Sequence, residues 1–77
     1  MTQKIENTIR IWRAKFDISQ DSLASGIDVS RQTIHAIERG KFVPSLHIAL
    51  KLAKYFGTTV EELFSLKEEK PDDRVYY

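Results

Sequence analysis

The segment VSRQTIHAIERGK, Val29 to Lys41, gathers Arg31, Gln32, Thr33 and His35 directly behind a serine and closes on a glycine and a lysine. These are side chains that read hydrogen-bond patterns. A glutamine amide presents a donor beside an acceptor, as adenine N6 and N7 require; an arginine fork matches guanine O6 and N7; and the methyl of Thr33 or Ala36 suits the thymine methyl. Helix starts ordinarily favour acidic residues, because a carboxylate complements the positive end of the helix dipole. Here the first turn holds Arg31 and Gln32 instead. That is where a helix entering the major groove presents its base-contacting groups.

A helix must carry them, and the apolar spacing supplies it. Ser30 fits an N-cap and Gly40 a C′ stop, with Ile34 and Ile37 on one side of a wheel turning about 100° per residue. Gln32, Ala36 and Arg39 fall on the opposite side, flanked by His35. Ser19 is a second N-cap, followed by Asp21 in the first turn and by Leu23, Ala24 and Ile27 facing inward; Gly26 to Val29 breaks that pattern. Two short helices joined by so tight a turn are the helix-turn-helix plan. Ala24 suits a close crossing, and Val29 can fill the angle between the helices. The turn needs left-handed backbone geometry where Asp28 stands, and aspartate tolerates that better than most residues.

Three more helices are predicted around this unit. Ile5, Ile9, Trp12 and Phe16 recur at helical spacing, giving a first helix that ends near Lys15. After the loop KFVP, where Pro44 holds Val43 extended, Ser45 starts a helix through Leu46, Ala49, Leu50, Leu52, Ala53 and Phe56, closed by Gly57. Thr59 and Glu62 form a capping box for a last short helix containing Val60, Leu63 and Phe64. The expected fold is all-α, a five-helix DNA-binding domain over residues 1–66 with a charged C-terminal tail over 67–77. A second reading of the two ends pairs Gln3 to Glu6 with Phe64 to Lys67 as a small antiparallel β-pair. Within the tail, Glu68 to Arg74 is expected to be mobile or extended, and Val75, Tyr76 and Tyr77 either trail free or dock.

The composition bounds the rest. A chain of 77 residues holds one domain that can bury a single core without staples. With no cysteine, neither a disulfide framework nor a thiolate metal site is available. No apolar run approaches the ~20 residues that span a bilayer, so a soluble, cytoplasmic protein is expected. The net charge of +1 divides unevenly: residues 1–57 hold nine Lys/Arg against five Asp/Glu, and residues 58–77 hold three against six. A basic body with an acidic end points mildly to a polyanionic partner. His35 and His47 fall on different helices without a coordinating cluster, and no serine, histidine and acid arrangement is visible. No catalytic residue, metal or cofactor is therefore expected, and no small-molecule ligand is evident.

The pieces ISQDSLA, VSRQTIHAIERGK, PSLHIALKLAKYF and VEELF stand in register within Ile9 to Phe64. Over that whole span the sequence resembles the Cro/C1-type (Xre family) helix-turn-helix domain, the lambda-repressor-like fold of small stand-alone regulators. The resemblance implies a homodimer that sets paired third helices into successive major grooves of a near-palindromic operator. Arg31, Gln32 and Thr33, with His35 or Ala36, would then face bases, while Ser19, Gln20, Arg39, Lys41 and Ser45 match backbone-contact positions. Two departures are evident: Asp28 replaces the usual turn glycine, and Ala36 is too short for a polar base contact. Regulation by repression is expected, with double-stranded DNA and a second copy as partners. A protein-binding adaptor or antitoxin-like module on the same fold is the alternative.

Two further expectations concern structure. On the wheel, Glu38 lies nearer the apolar than the solvent face, a costly place for a lone carboxylate. The resemblance supplies its partner, matching Arg13 and Glu38 to the arginine and glutamate of a buried pair. Leu63, Phe64 and Leu66 are more apolar than so short an end requires, and the resemblance places the subunit contact near them.

Overall fold

A computed structural model of the chain describes residues 2–69. In chain order it runs β1 (Thr2–Asn7), α1 (Ile9–Phe16), α2 (Gln20–Ile27), α3 (Arg31–Glu38), α4 (Leu46–Phe56), α5 (Val60–Leu63) and β2 (Phe64–Glu69). The five expected helices are present, and so is the small antiparallel pair of chain ends. Each helix sends a side chain into one core: Ile9, Leu23, Ile34, Ile37, Leu52 and Leu63 are completely enclosed. Burial of each such side chain contributes about 1.5 to 3 kcal/mol. By contrast, Leu46 and Leu50 stay exposed on the outer side of α4.

The helix starts are set locally. Ser19, Ser30, Ser45 and Thr59 each accept a hydrogen bond from the backbone N–H three residues on, so one otherwise orphaned donor is satisfied at the start of α2, α3, α4 and α5. The stops are local too. Asp28 ends α2 at φ 61° and Gly57 ends α4 at φ 72°, both left-handed, and Gly40 follows α3 at φ 75°. Asp17, at φ 57°, ends α1 in the same way.

Several expectations are corrected. Ile5 does not continue α1: it lies in β1 opposite Leu66, in a register that runs from Thr2 opposite Glu69 to Asn7 opposite Phe64. The interruption is Asn7, whose Oδ1 accepts from the Ile9 N–H at 3.2 Å and whose Nδ2 donates to the Ile37 carbonyl at 2.9 Å. Thr8 completes the break by bonding back to α5, through its N–H to the Leu63 carbonyl and its hydroxyl to the Glu62 carbonyl. Phe64 leaves α5 and opens β2, and that strand continues through Glu69. Residues 70–77, including Val75, Tyr76 and Tyr77, lie outside the described residues.

Gly26 also belongs inside α2, not in the turn that follows it. A Cβ at this position would overlap the ring of Tyr55 from α4, so the glycine is there to let two helices approach. Gly→Ala in an exposed helix ordinarily gains about 1 kcal/mol. Here the ring must swing away from α2, and Gly26→Ala is expected to lose about 1 to 2 kcal/mol instead. Urea melts of Gly26→Ala alone and in a Tyr55→Ala background check this. The sign should reverse in the second background, and a gain in both would remove the packing account.

Candidate nucleic-acid interface

The turn from α2 to α3 is built as the sequence suggests. The Val29 N–H reaches back to the Ala24 carbonyl at 3.0 Å, and Asp28 supplies the left-handed residue that lets the chain reverse. Ala24 is buried at the crossing, and Ile34 and Ile37 of α3 close over Leu23 and Ile27 in the same cluster. The far end of α2 is fixed from α4, where the Lys51 ammonium donates to the Ile27 carbonyl at 3.0 Å. A cation there satisfies a terminal carbonyl and suits the negative end of the helix dipole.

That packing leaves one face of α3 outward. Arg31, Gln32 and His35 are exposed, and Thr33 and Ala36 are half-buried. The Thr33 hydroxyl lies 3.0 Å from that of Ser30, so it is engaged in the helix start. Arg31 approaches Asp21 only loosely, at 3.9 Å between exposed groups, and such a pair is worth little in water. An arginine held so weakly is readily redirected to another anion.

The five backbone-contact candidates divide into two groups. Arg39, Lys41 and Ser45 are exposed, in the loop after α3 and at the start of α4. Ser19 and Gln20 open α2, and their side chains are already occupied. The Ser19 hydroxyl caps the helix and also donates to Ser22 Oγ at 3.2 Å, whereas Gln20 Nε2 donates to Glu38 Oε1 at 3.1 Å. With Gln20 tied to Glu38 and Asp21 beside Arg31, the start of α2 lies across α3.

Beneath the outward face sits the expected ion pair. Arg13 Nε donates to Glu38 Oε2 at 2.7 Å and Nη2 to Oε1 at 3.2 Å, while Nη1 donates to the Ile18 carbonyl at 3.0 Å. Side-chain exposure is 18% for Arg13 and 1% for Glu38. Burial pushes the Glu38 carboxyl up, but the hydrogen bonds from Arg13 and Gln20 and the charges of Arg13 and Arg10 outweigh it, leaving its pKa below the ordinary value. The same bond to Glu38 raises the Arg13 pKa against its own desolvation. Gln20's share in this network was not legible from spacing. Its one sequence signal is a glutamine at the first position of α2 with a buried-side carboxylate to answer in α3.

The dimer-contact candidates separate as well. Leu63 is completely enclosed by the core of its own copy and offers no surface to a second one. Phe64 is half-buried against the core and Leu66 is exposed. No helix among the described residues is long and apolar enough to cross a membrane.

Two short capped helices joined by a left-handed turn, the second with an exposed polar face, are the helix-turn-helix fold. A helix-turn-helix family profile matches residues 9–63. An uncharacterised HTH-type transcriptional regulator of Methanocaldococcus jannaschii is 42% identical over 66 residues, covering 86% of this chain and 100% of its own length. The cryptic phage CTXphi transcriptional repressor RstR of Vibrio cholerae is 37% identical over 67 residues, 87% of this chain and 60% of its own. The restriction-modification controller protein C.AhdI of Aeromonas hydrophila superposes with a TM-score of 0.66 at 31% identity, over 70% of this chain and 82% of that one. The chain belongs to the Cro/C1-type (Xre) helix-turn-helix family of transcriptional regulators.

Proposed function

We propose that this regulator is a cytoplasmic repressor that binds a near-palindromic operator as a homodimer, with α3 of each copy in the major groove. The observation that carries this reading is the outer face of α3. Arg31, Gln32 and His35 are exposed together at its front, where a groove-entering helix presents side chains to base edges. Arg39, Lys41 and Ser45, with the N–H groups at the start of α2, supply phosphate contacts that fix register and carry no sequence. Repression is supported by the likeness to RstR, a repressor by name. Two copies are needed because one eight-residue helix reads only a few base pairs, and half-sites about one helical turn apart match a two-fold protein.

Selection of bound sequences from a random duplex pool, followed by binding titrations, tests this. Gln32→Ala should cost about 1 to 3 kcal/mol and relax preference at one base position per half-site. Lys41→Ala should weaken all sequences alike and lower the salt slope, because each phosphate contact releases counterions. Equal losses across all sequences for both variants would take Gln32 out of base reading. Absence of any duplex binding at low salt would end the DNA reading altogether.

A further inference from the structure

Resting on the homodimer reading above, we infer that two copies join through the outer edges of β1, antiparallel about a two-fold axis at Ile5, forming one four-stranded sheet in the order β2, β1, β1, β2.

Among the described residues the sheet in one copy has two strands, and each has an outer edge with no described strand beside it. A lone two-stranded ribbon is marginal in water, and an open edge of this length is a template for further pairing. Among the described residues α5, which runs directly into β2, is the helix packed most closely on the ribbon, and α3 meets it through the bond from Asn7 to the Ile37 carbonyl. One ribbon face is apolar yet uncovered: Ile5 is 37% and Leu66 64% exposed, and they sit opposite each other with Phe64 beside them. Phe42 and Val43, also exposed, border Ile5 on the α3 side. So, among the described residues, an open strand edge and an exposed apolar face coincide on one element.

The occupant is fixed by self-complementarity. In an antiparallel pair related by a two-fold axis, one residue faces its own copy and its neighbours face each other reciprocally. Centred on Lys4 or on Glu6, such a pair sets like charges opposite. Centred on Ile5, it sets Lys4 opposite the partner's Glu6 and Glu6 opposite the partner's Lys4. Isoleucine then meets isoleucine, and since Leu66 already lies opposite Ile5 within each copy, one sheet face carries a continuous row of Leu66, Ile5, the partner's Ile5 and the partner's Leu66. The β2 edge is weaker: centred on Lys67 it opposes two lysines, centred on Leu66 it sets Lys67 against serine, and centred on Ser65 it sets Phe64 against the partner's Leu66 but joins no opposite charges.

Charge exchange tests the register directly. Lys4→Glu and Glu6→Lys should each raise the dimer dissociation constant by at least about tenfold, since both reciprocal pairs turn from attraction to repulsion. An equimolar mixture of the two variants should recover wild-type dimerisation as a heterodimer, because every cross-copy pair is then opposite in charge. A purely structural role would not give this. Glu6 also pairs with Lys67 of its own ribbon at 3.5 Å, and whatever either substitution costs a single ribbon is not restored by mixing the two variants. Sedimentation velocity gives the readout, with thermal melts as a folding control. Single variants that dimerise as the wild type does would overturn the β1 edge and leave the homodimer reading standing. A wild-type chain that stays monomeric at tens of micromolar, free and on operator DNA, would overturn both, leaving the edge to a strand from another protein.

Discussion

Arg13→Ala is expected to lose about 3 to 5 kcal/mol of folding stability in a urea melt, because it leaves a carboxylate buried without its cation. The side chain of Glu38 is 1% exposed and receives three hydrogen bonds, two from Arg13 and one from Gln20. Removing Arg13 leaves only the glutamine, and it also frees the Ile18 carbonyl, which Arg13 holds in the link between α1 and α2. A lysine cannot reproduce this, since a point charge cannot grip two carboxylate oxygens and a carbonyl at once. Arg13→Lys should therefore fall between wild type and alanine. Operator affinity per folded molecule should change little in either variant, because Arg13 lies under α3 and not on its outer face. A stability loss below about 1 kcal/mol would mean that the pair behaves as a surface contact.

The acid dependence of that loss has a definite sign. Glu38 has a folded pKa below its ordinary value despite burial, because Arg13 and Gln20 bond its charged form. Such a group contributes its full stability above the unfolded carboxylate pKa of about 4.3 and loses it as pH falls through the lower folded value. The gap between wild type and Arg13→Ala should thus be complete at neutral pH and narrow on acidification below about pH 4. A gap that widens in acid would point to a group other than Glu38.

What the sequence made legible was short in range. Ser19, Ser30, Ser45 and Thr59 could be read as caps because each acts within three residues of itself, and Asp28 because only a few residue types tolerate the geometry its turn requires. Glu38 was legible by a different route: the period of α3 set it on the inner side, and an inward carboxylate demands a cation. The outward face of α3 follows from the same period. The contacts that escaped span the chain. Gln20 to Glu38, Lys51 to Ile27 and Asn7 to Ile37 cross 18, 24 and 30 residues, and no local preference marks one end of such a bond. Ile5 was ambiguous because residues 5, 9 and 12 fit a helix as well as residues 3–6 fit a strand, and the strand wins only once Phe64 to Glu69 is present to pair with it. Leu63 looked like a surface anchor because a four-residue helix gives too little periodicity to tell inside from outside.

Phe56→Ala is the second large effect, at about 3 to 5 kcal/mol. Its ring is the hub through which α4 holds α1, and the geometry shows why no neighbour can replace it. Trp12 and Phe16 of α1 approach it at centroid distances of 5.8 and 5.5 Å, the latter edge to face, and Tyr55 meets it edge to face at 5.3 Å. Each well-oriented aromatic pair adds about 0.5 to 1.5 kcal/mol beyond the area it buries, and truncation at Phe56 removes all three together. Phe16 is a built-in comparison, since it shares the cluster but is 45% exposed against 4% for Phe56, and water can fill its place. Phe16→Ala should cost less than half as much, about 1 to 2 kcal/mol. Because α1 also carries Arg13, loosening it from α4 strains the Glu38 contact as well, and Phe56→Ala with Arg13→Ala should lose less than the sum of the two. Urea melts of the two singles, the double and Phe16→Ala measure all of this. A Phe56 loss no greater than that at Phe16 would show that α1 is held by Ile9 and the Arg13 pair alone.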